Sequence, residues 1–332
     1  MQNISYKALV VEEQQGTFNQ LIKVLSTENL NEGDVLIRVH YSSVNYKDAL
    51  SAFGNKGITK KYPHTPGIDA AGVVEQSENE NFIPGDKVIV TGYDLGINTA
   101  GGFGEYICVP AKWIVKLPEN LSLKESMILG TAGFTAGISV LRLSELVKPG
   151  DGKIIVSGAS GGVGSIALSL LSKMGYQTVA VSAKETEYPL LYSLGVTEII
   201  SRKKFEEFDK RPILSAKYAG GIDTVGGSIL ENIIKSLQPL GVVTTCGNIA
   251  SSNIQTSVYP FILRGISLIG VSSQNYPTKL RQKLWMKLAT EWKIENFDQL
   301  HSEIKLEELK LNLELILNGK LKARTIVNLK DN

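Results

Sequence analysis

The sequence predicts an α/β protein of two units, one strand-rich and one built on a doubly wound parallel sheet. Three observations point there. Short β-rich runs broken by Gly, Pro and Asn fill the first third of the chain. Strand and helix patterns then alternate from about residue 153 to residue 273. A glycine-rich turn joins the first of those later strands to a helix. The length of 332 residues fits about two domains.

The early runs are "DVLIRVHYSSV" (34–44), "AAGVVEQ" (70–76) and "DKVIVTGY" (86–93), with Pro84-Gly85-Asp86 as the turn feeding the last. Such spacing suggests a compact, partly closed β unit. Further on, "KIIVSGA" (153–159) is an apolar strand and "VGSIALSLLSKMG" (163–175) a helix. The strand "QTVAVSA" (177–183), a helix through "TEYPLLYSLG" and a short strand "EIISR" (198–202) follow. "GIDTVG" (221–226), the helix "SILENIIKSLQ", "GVVTTCG" (241–247) and "SLIGVSS" (267–273) complete the series. This alternation means βαβ units and a parallel sheet covered on both faces. After residue 275 come two helical stretches and a last strand, "RTIVNL", which is expected to return to the first unit.

Composition narrows the function classes. Hydrophobic residues at 43% and charged residues at 20% are ordinary for a soluble globular protein. A net charge of +2 singles out no partner, and the richest basic run, Arg202-Lys203-Lys204, is too short for a nucleic-acid footprint. The N-terminus "MQNISYKALVVEE" lacks a signal-peptide pattern, and no window approaches 18 uninterrupted apolar residues. A cytoplasmic protein with no membrane partner is expected. Cys108 and Cys246 cannot form a disulfide framework and read as reduced core thiols.

The turn "SGASGGVG" (157–164) lies between a strand and a helix. Glycine there permits tight turning and close approach of backbone to a phosphate, and the helix N-terminus offers unpaired N–H groups. An NAD site places an Asp or Glu about 20 residues further on. This chain offers Ser182, Ala183 and Lys184 instead. A hydroxyl and an ammonium suit a 2′-phosphate, and Arg202, closing the next strand, adds a possible bidentate contact. Glu185 is the blemish, since it could pair with Lys184. The reading is NADP(H).

The motifs "GIDAAG" (67–72), "GGFGEY" (101–106), "GTAGFTA" (130–136), "GASGGVG" and "GIDTVG", in this order, resemble the medium-chain dehydrogenase/reductase superfamily in its quinone-reductase-like division. "SSVNYKDAL" (42–50), "MILGTAGFTA" (127–136) and "PFILRGISLIGVSS" (260–273) are more similar still to the YhdH/YhfP type, which includes NADPH-dependent acryloyl-CoA reductases. The resemblance runs from about residue 6 to the C-terminus. It implies a GroES-like distorted β-barrel catalytic domain from residues 1–125 and 269–332. A Rossmann NADP(H)-binding domain, 126–268, is inserted between them. The active site is expected in the cleft, and a homodimer by edge pairing of the Rossmann sheets.

Zinc-dependent members carry a Gly-His-Glu motif where this chain reads Gly67-Ile68-Asp69, and a four-cysteine lobe that it lacks. Ile cannot ligate a metal, so no metal is expected. His64 in "YPHTPG" reads as a loop residue. Without a Lewis acid, reduction of an electron-poor double bond is favoured over alcohol oxidation. Hydride goes to the β-carbon and negative charge develops on the carbonyl oxygen.

Tyr46 is the first catalytic candidate, because a phenol keeps its proton at neutral pH and can donate it or a hydrogen bond. The resemblance implies instead that the tyrosine of this NYKD motif lines the nicotinamide pocket. Asn45 could orient a carbonyl or amide, and Asp48 could hold Tyr46 or a ribose hydroxyl. The resemblance implies that Ser160, Gly161, Gly162 and Val163 touch the pyrophosphate, and that Ser182, Ala183, Lys184 and Arg202 surround the 2′-phosphate. Asn248, Ile262 and Ser273 would line the nicotinamide side, with Asn318 reaching in from the C-terminal segment. Thr131 is a nicotinamide or ribose contact, or a helix cap.

Three functions are weighed. The first is an NADPH-dependent reductase of an α,β-unsaturated thioester such as acryloyl-CoA, with Arg264, Lys322 and Arg324 as candidates for the CoA phosphates. The second is a quinone or enone reductase acting on small lipophilic acceptors. The third is a non-catalytic NADPH-binding sensor.

Overall fold

The computed structural model describes residues 3–30, 33–207, 209–295 and 297–330. The chain forms two compact units, one of residues 1–131 with 274–332 and one of residues 132–273.

In the first unit, β1 (Ser5–Gln14) and β2 (Thr17–Ser26) form an antiparallel ribbon. Gln15 and Gly16 both take positive φ at its turn, as a two-residue hairpin with right-handed twist demands. β3 (Val35–Ser43) follows, then α1 (Tyr46–Ala52), β4 (Asp69–Ser77), β5 (Lys87–Thr91), β6 (Tyr106–Val109) and β7 (Ile114–Lys116). The β3–β4 pairing is antiparallel, with register shifts between Leu36 and Ile37 and between Val39 and Tyr41. Extra residues of this kind bend a strand and help a sheet to curl.

α2 (Leu123–Leu146) carries the chain out of the first unit. It is two helices joined at Gly130, whose φ of 50° and ψ of −155° are not helical. By length and composition α2 could cross a bilayer, yet 83% of its most apolar window is buried inside the protein. It is a core helix.

The second unit contains β8 (Lys153–Ser157), α3 (Gly162–Lys173), β9 (Thr178–Ser182), α4 (Tyr188–Ser193), β10 (Glu198–Ser201) and α5 (Arg202–Phe205). β11 (Tyr218–Asp223), α6 (Gly227–Ser236), β12 (Leu237–Thr245), α7 (Tyr259–Arg264) and β13 (Ser267–Gly270) complete it. The sheet order is β10-β9-β8-β11-β12-β13, with every pairing parallel. Its inner strands are buried on both faces; Ile155, Val179, Val181 and Val243 join α6 residues Ile229, Ile233 and Ile234 in one core.

The chain then returns through α8 (Thr278–Ala289), β14 (His301–Lys305), α9 (Leu309–Leu317) and β15 (Arg324–Asn328). β15 lies antiparallel to β3, Ile326 opposite Ser43, and parallel to β14. The resulting sheet has the order β14-β15-β3-β4-β5-β7, with β6 also on β3. Its core gathers Ile37, Val39, Val90, Phe103, Ile107 and Val327 with Leu309 and Leu313 of α9.

The compact units meet at 131/132, just after the Gly130 kink, and at 273/274, just after β13, beside the expected domain limits of 125/126 and 268/269.

Candidate functional site

The candidate residues fall into two groups, one in each unit. In the second unit β8 ends at Ser157 and α3 starts at Gly162, with Gly161 as its N-cap. A side chain at Gly164 would place its Cβ 2.3 Å from the Gly158 carbonyl oxygen, so the turn closes only because that residue is glycine. The first N–H groups of this helix, 12 residues long, have no partner within it and suit an anion. Asp223, at the end of β11, braces the turn. It accepts from Ser157 Oγ (2.7 Å), Thr245 Oγ1 (3.0 Å) and Gly226 N (3.0 Å), and burial raises its pKa. Sequence reasoning quoted this Asp only as part of a motif.

Ser182 closes β9 and is buried; its Oγ accepts from Lys184 N at 3.2 Å. Arg202 does not close the third strand as expected. It opens α5, because the Ser201 hydroxyl caps that helix by accepting from Lys204 N. Ala183, Ser201 and Arg202 nevertheless line one cavity of about 620 Å³. Asn248 lines a second, also about 620 Å³, at the carboxyl ends of β12 and β13 beside Cys246 and Ser272. Burial pushes the Cys246 thiol up to about 12, which favours its protonated form at neutral pH. Ser273 Oγ pairs with Thr135 Oγ1 at 2.9 Å, and Ile262 stands 67% exposed on α7. Arg264 is not available for a CoA phosphate. Its guanidinium is spent on the carbonyls of Lys235, Leu237 and Leu214.

In the first unit the residues around Tyr46 form a buried polar network. Asp69, fully buried, accepts from Ser43 Oγ (2.6 Å), Asn45 Nδ2 (2.8 Å), Thr131 N (2.8 Å) and Thr131 Oγ1 (2.6 Å). Arg324 faces it, with Nη2 at 3.9 Å from Asp69 Oδ2. Arg324 also donates to Ser43 Oγ, Asn45 Oδ1 and the carbonyls of Val44 and Ile128. A Cβ at Gly130 would lie 2.6 Å from Asp69 Oδ2 and 2.9 Å from Arg324 Nη2. The bare backbone at the kink is what lets the network close.

Asp48 sits at the third position of α1. It accepts from Asn45 N and Ile68 N, both at 2.8 Å. Burial, then the nearby Asp69 charge, raises its pKa to about 7. Tyr46, first residue of α1, is half-buried, and no hydrogen bond of its hydroxyl occurs among the described residues. Lys47 beside it, which sequence reasoning passed over, donates to Gln274 Oε1 at 3.0 Å, and burial lowers its pKa.

Several expectations change here. Asp48 has no hydrogen bond to Tyr46 among the described residues; it ties the start of α1 to the Gly67–Ile68 loop. The Asn45 amide is engaged on both ends, by Asp69 and by Arg324, so it positions rather than binds. Thr131 spends both its N–H and its hydroxyl on Asp69. Arg324 is an interior residue, 3% exposed, and no surface contact for CoA. Asn318, exposed at the end of α9, folds its Nδ2 back onto the Glu314 carbonyl at 2.8 Å. His64 is buried in a bridge to Val11, its Nε2 2.9 Å from the Gly96 carbonyl.

Residues 31–119 match the alcohol dehydrogenase GroES-like domain and residues 162–290 match the zinc-binding dehydrogenase family. An Escherichia coli (strain K12) protein named "Probable acrylyl-CoA reductase AcuI" is 41% identical over 322 residues, 97% of this chain and 99% of its own. The chain belongs to the medium-chain dehydrogenase/reductase superfamily. The crystal structure of the Salmonella enterica yhdH oxidoreductase in complex with NADP shares 40% identity and superimposes with a TM-score of 0.94, covering 97% of this chain and 99% of that one. The Bacillus subtilis protein yhfP, solved with NAD bound, shares 39% identity at a TM-score of 0.95, covering 98% and 100%.

One matching family description names zinc, and the residues present do not fit it. Ile68 offers only hydrocarbon. The neighbouring Asp69 oxygens are saturated by Ser43, Asn45 and Thr131. Among the described residues no group of three or more His, Cys, Asp and Glu is placed to hold a metal ion.

Proposed function

We propose that this protein is an NADPH-dependent reductase of the activated C=C bond in an α,β-unsaturated acyl-CoA thioester such as acryloyl-CoA. The observation that carries the reading is the Asp69–Arg324 network. Where related enzymes place a metal ligand, this chain builds a charge-compensated hydrogen-bonded support beneath Tyr46. The network spends its own donors internally and holds α1 in place, leaving the Tyr46 hydroxyl to serve a carbonyl oxygen that gains charge as hydride arrives. The Escherichia coli relative named as an acrylyl-CoA reductase supports the substrate class.

NADPH, when bound, supplies the hydride to the β-carbon. Ser160, Gly161, Gly162 and Val163 present the α3 N-terminus to its pyrophosphate. Ser182, Ala183, Lys184 and Arg202 take the 2′-phosphate end. Asn248, Ile262 and Ser273 flank the nicotinamide. Tyr46 donates from its hydroxyl to the thioester oxygen. Asn45, Asp48 and Thr131 act through the network that fixes α1, so they position Tyr46 and do not contact substrate.

A homodimer in the cytoplasm completes the reading. It is supported by the open edge of β13, by the exposed apolar side chains Val258 and Leu263 at α7, and by two free thiols.

The test follows NADPH absorbance with acryloyl-CoA and a simple quinone offered in parallel. Preferred turnover of the thioester, with a loss of about 10²-fold in kcat for Tyr46→Phe, is expected for removal of one oxyanion donor. Turnover of the quinone alone would transfer the reading to a quinone reductase. Tight NADPH binding with no turnover of either would make the protein a sensor.

A further inference from the structure

The two cations assigned to the 2′-phosphate are already engaged by acids of their own segments. Arg202 Nε donates to Glu206 Oε1 at 2.7 Å, one helical turn along. Lys184 Nζ lies 3.2 Å from Glu187 Oε1. The Glu187 carboxylate is 7% exposed, and its Oε2 has no hydrogen-bond partner. A buried carboxylate that leans on one cation resists losing it, because an uncompensated buried charge is strongly disfavoured.

The cavity beside these residues sharpens the point. Glu185, Glu206 and Glu207 line it together with Arg202 and Lys203. Carboxylates outnumber cations on its wall. A phosphate dianion entering there meets repulsion as well as attraction. A ribose 2′-hydroxyl is neutral, and Glu206 can accept a hydrogen bond from it.

We propose that Glu187 and Glu206 are specificity-determining residues, competing with the 2′-phosphate for Lys184 and Arg202 and so narrowing the preference for NADPH over NADH. This rests on the assignment of Ser182, Lys184 and Arg202 to the 2′-phosphate. The ammonium of Lys184 is held back by its buried partner, and Arg202 reaches the phosphate only by sharing or leaving Glu206. NADPH therefore gains little from its extra charge.

Dissociation constants for NADPH and NADH, read from quenching of tryptophan fluorescence, test this without any acceptor. Each pre-formed ion pair is expected to take about two- to fivefold off the preference that the phosphate contacts would otherwise give. Glu206→Gln, at a site one-third exposed and safe for folding, should widen that preference by about two- to fivefold, the scale of an exposed ion pair. Arg202→Ala and Lys184→Ala separate the two layers of the argument. If Arg202→Ala weakens NADPH while Glu206→Gln leaves the NADPH:NADH ratio unchanged, the competition proposal is overturned and the phosphate assignment stands. If neither Arg202→Ala nor Lys184→Ala alters NADPH affinity, the assignment itself is wrong and the proposal falls with it.

Discussion

Replacing Arg324 with Met tests the buried network directly. The change keeps most of the aliphatic stem and deletes the guanidinium. In the wild type that group donates to Ser43 Oγ at 2.8 Å, Ile128 O at 3.0 Å, Asn45 Oδ1 at 3.2 Å and Val44 O at 3.3 Å. Its charge also faces Asp69 and Asp48, both fully buried. Removing one partner of a buried ion pair costs about 3–5 kcal/mol, because the other charge stays behind uncompensated. The two carbonyls left without this donor, Val44 and Ile128, add about 1 kcal/mol each. A total of about 5–7 kcal/mol is expected, a large share of the roughly 5–15 kcal/mol that holds a typical fold together.

Urea unfolding followed by circular dichroism measures the loss. The double variant Asp69→Asn/Arg324→Met should be less destabilised than the sum of the two single variants, by about 1–3 kcal/mol, because each single change strands the other's charge. A loss below about 1 kcal/mol for Arg324→Met, or strict additivity in the cycle, would refute the claim that the pair is coupled.

Three further outcomes follow from the same structure. Gly164→Ala should weaken NADPH binding by more than about tenfold, since its Cβ would sit 2.3 Å from the Gly158 carbonyl and open the phosphate turn; isothermal titration would show it. Asp48, raised to about 7 in the folded protein, keeps a proton that the unfolded chain releases above its ordinary pKa. Its contribution to stability is complete at acid pH and lost as pH rises through about 7. The wild-type unfolding free energy minus that of Asp48→Asn should therefore shrink across that window. Burial lowers the His64 pKa and pulls stability the other way, but that term cancels in the difference. Leu263→Glu, on an exposed apolar surface of α7, should convert a dimer to monomers in light scattering; a molar mass unchanged from wild type would exclude this face from the interface.

The parallel sheet was legible because alternation and glycine spacing are local properties. β8, the turn and α3 could be read from one stretch of a dozen residues, and the motif order carried the family. The interior network was not legible. Arg324 follows the polar run "NGKLKA" and Arg264 is a lone charge in the apolar run "PFILRGISLIG"; only pairing of β15 with β3 and docking of α7 show where they point. Asp69 did carry a signal: a carboxylate inside the apolar run "GIDAAG" must be compensated if it is buried. Its partner comes from the far end of the chain, where no periodicity points back to it. Arg202 was misplaced for a more local reason, since Ser201 can end a strand or cap a helix.

The saturation of Asp69 also bears on how this chain can evolve. Changing Ile68 to His would add one metal donor, but Asp69 would remain held by Ser43, Asn45 and Thr131. Freeing it would strand Arg324, whose guanidinium would then need a new counter-charge. Each intermediate on that route is less stable than its parent and gains no metal in return. A single mutation cannot restore zinc chemistry here, and the site is closed to that drift by the same contacts that hold it together.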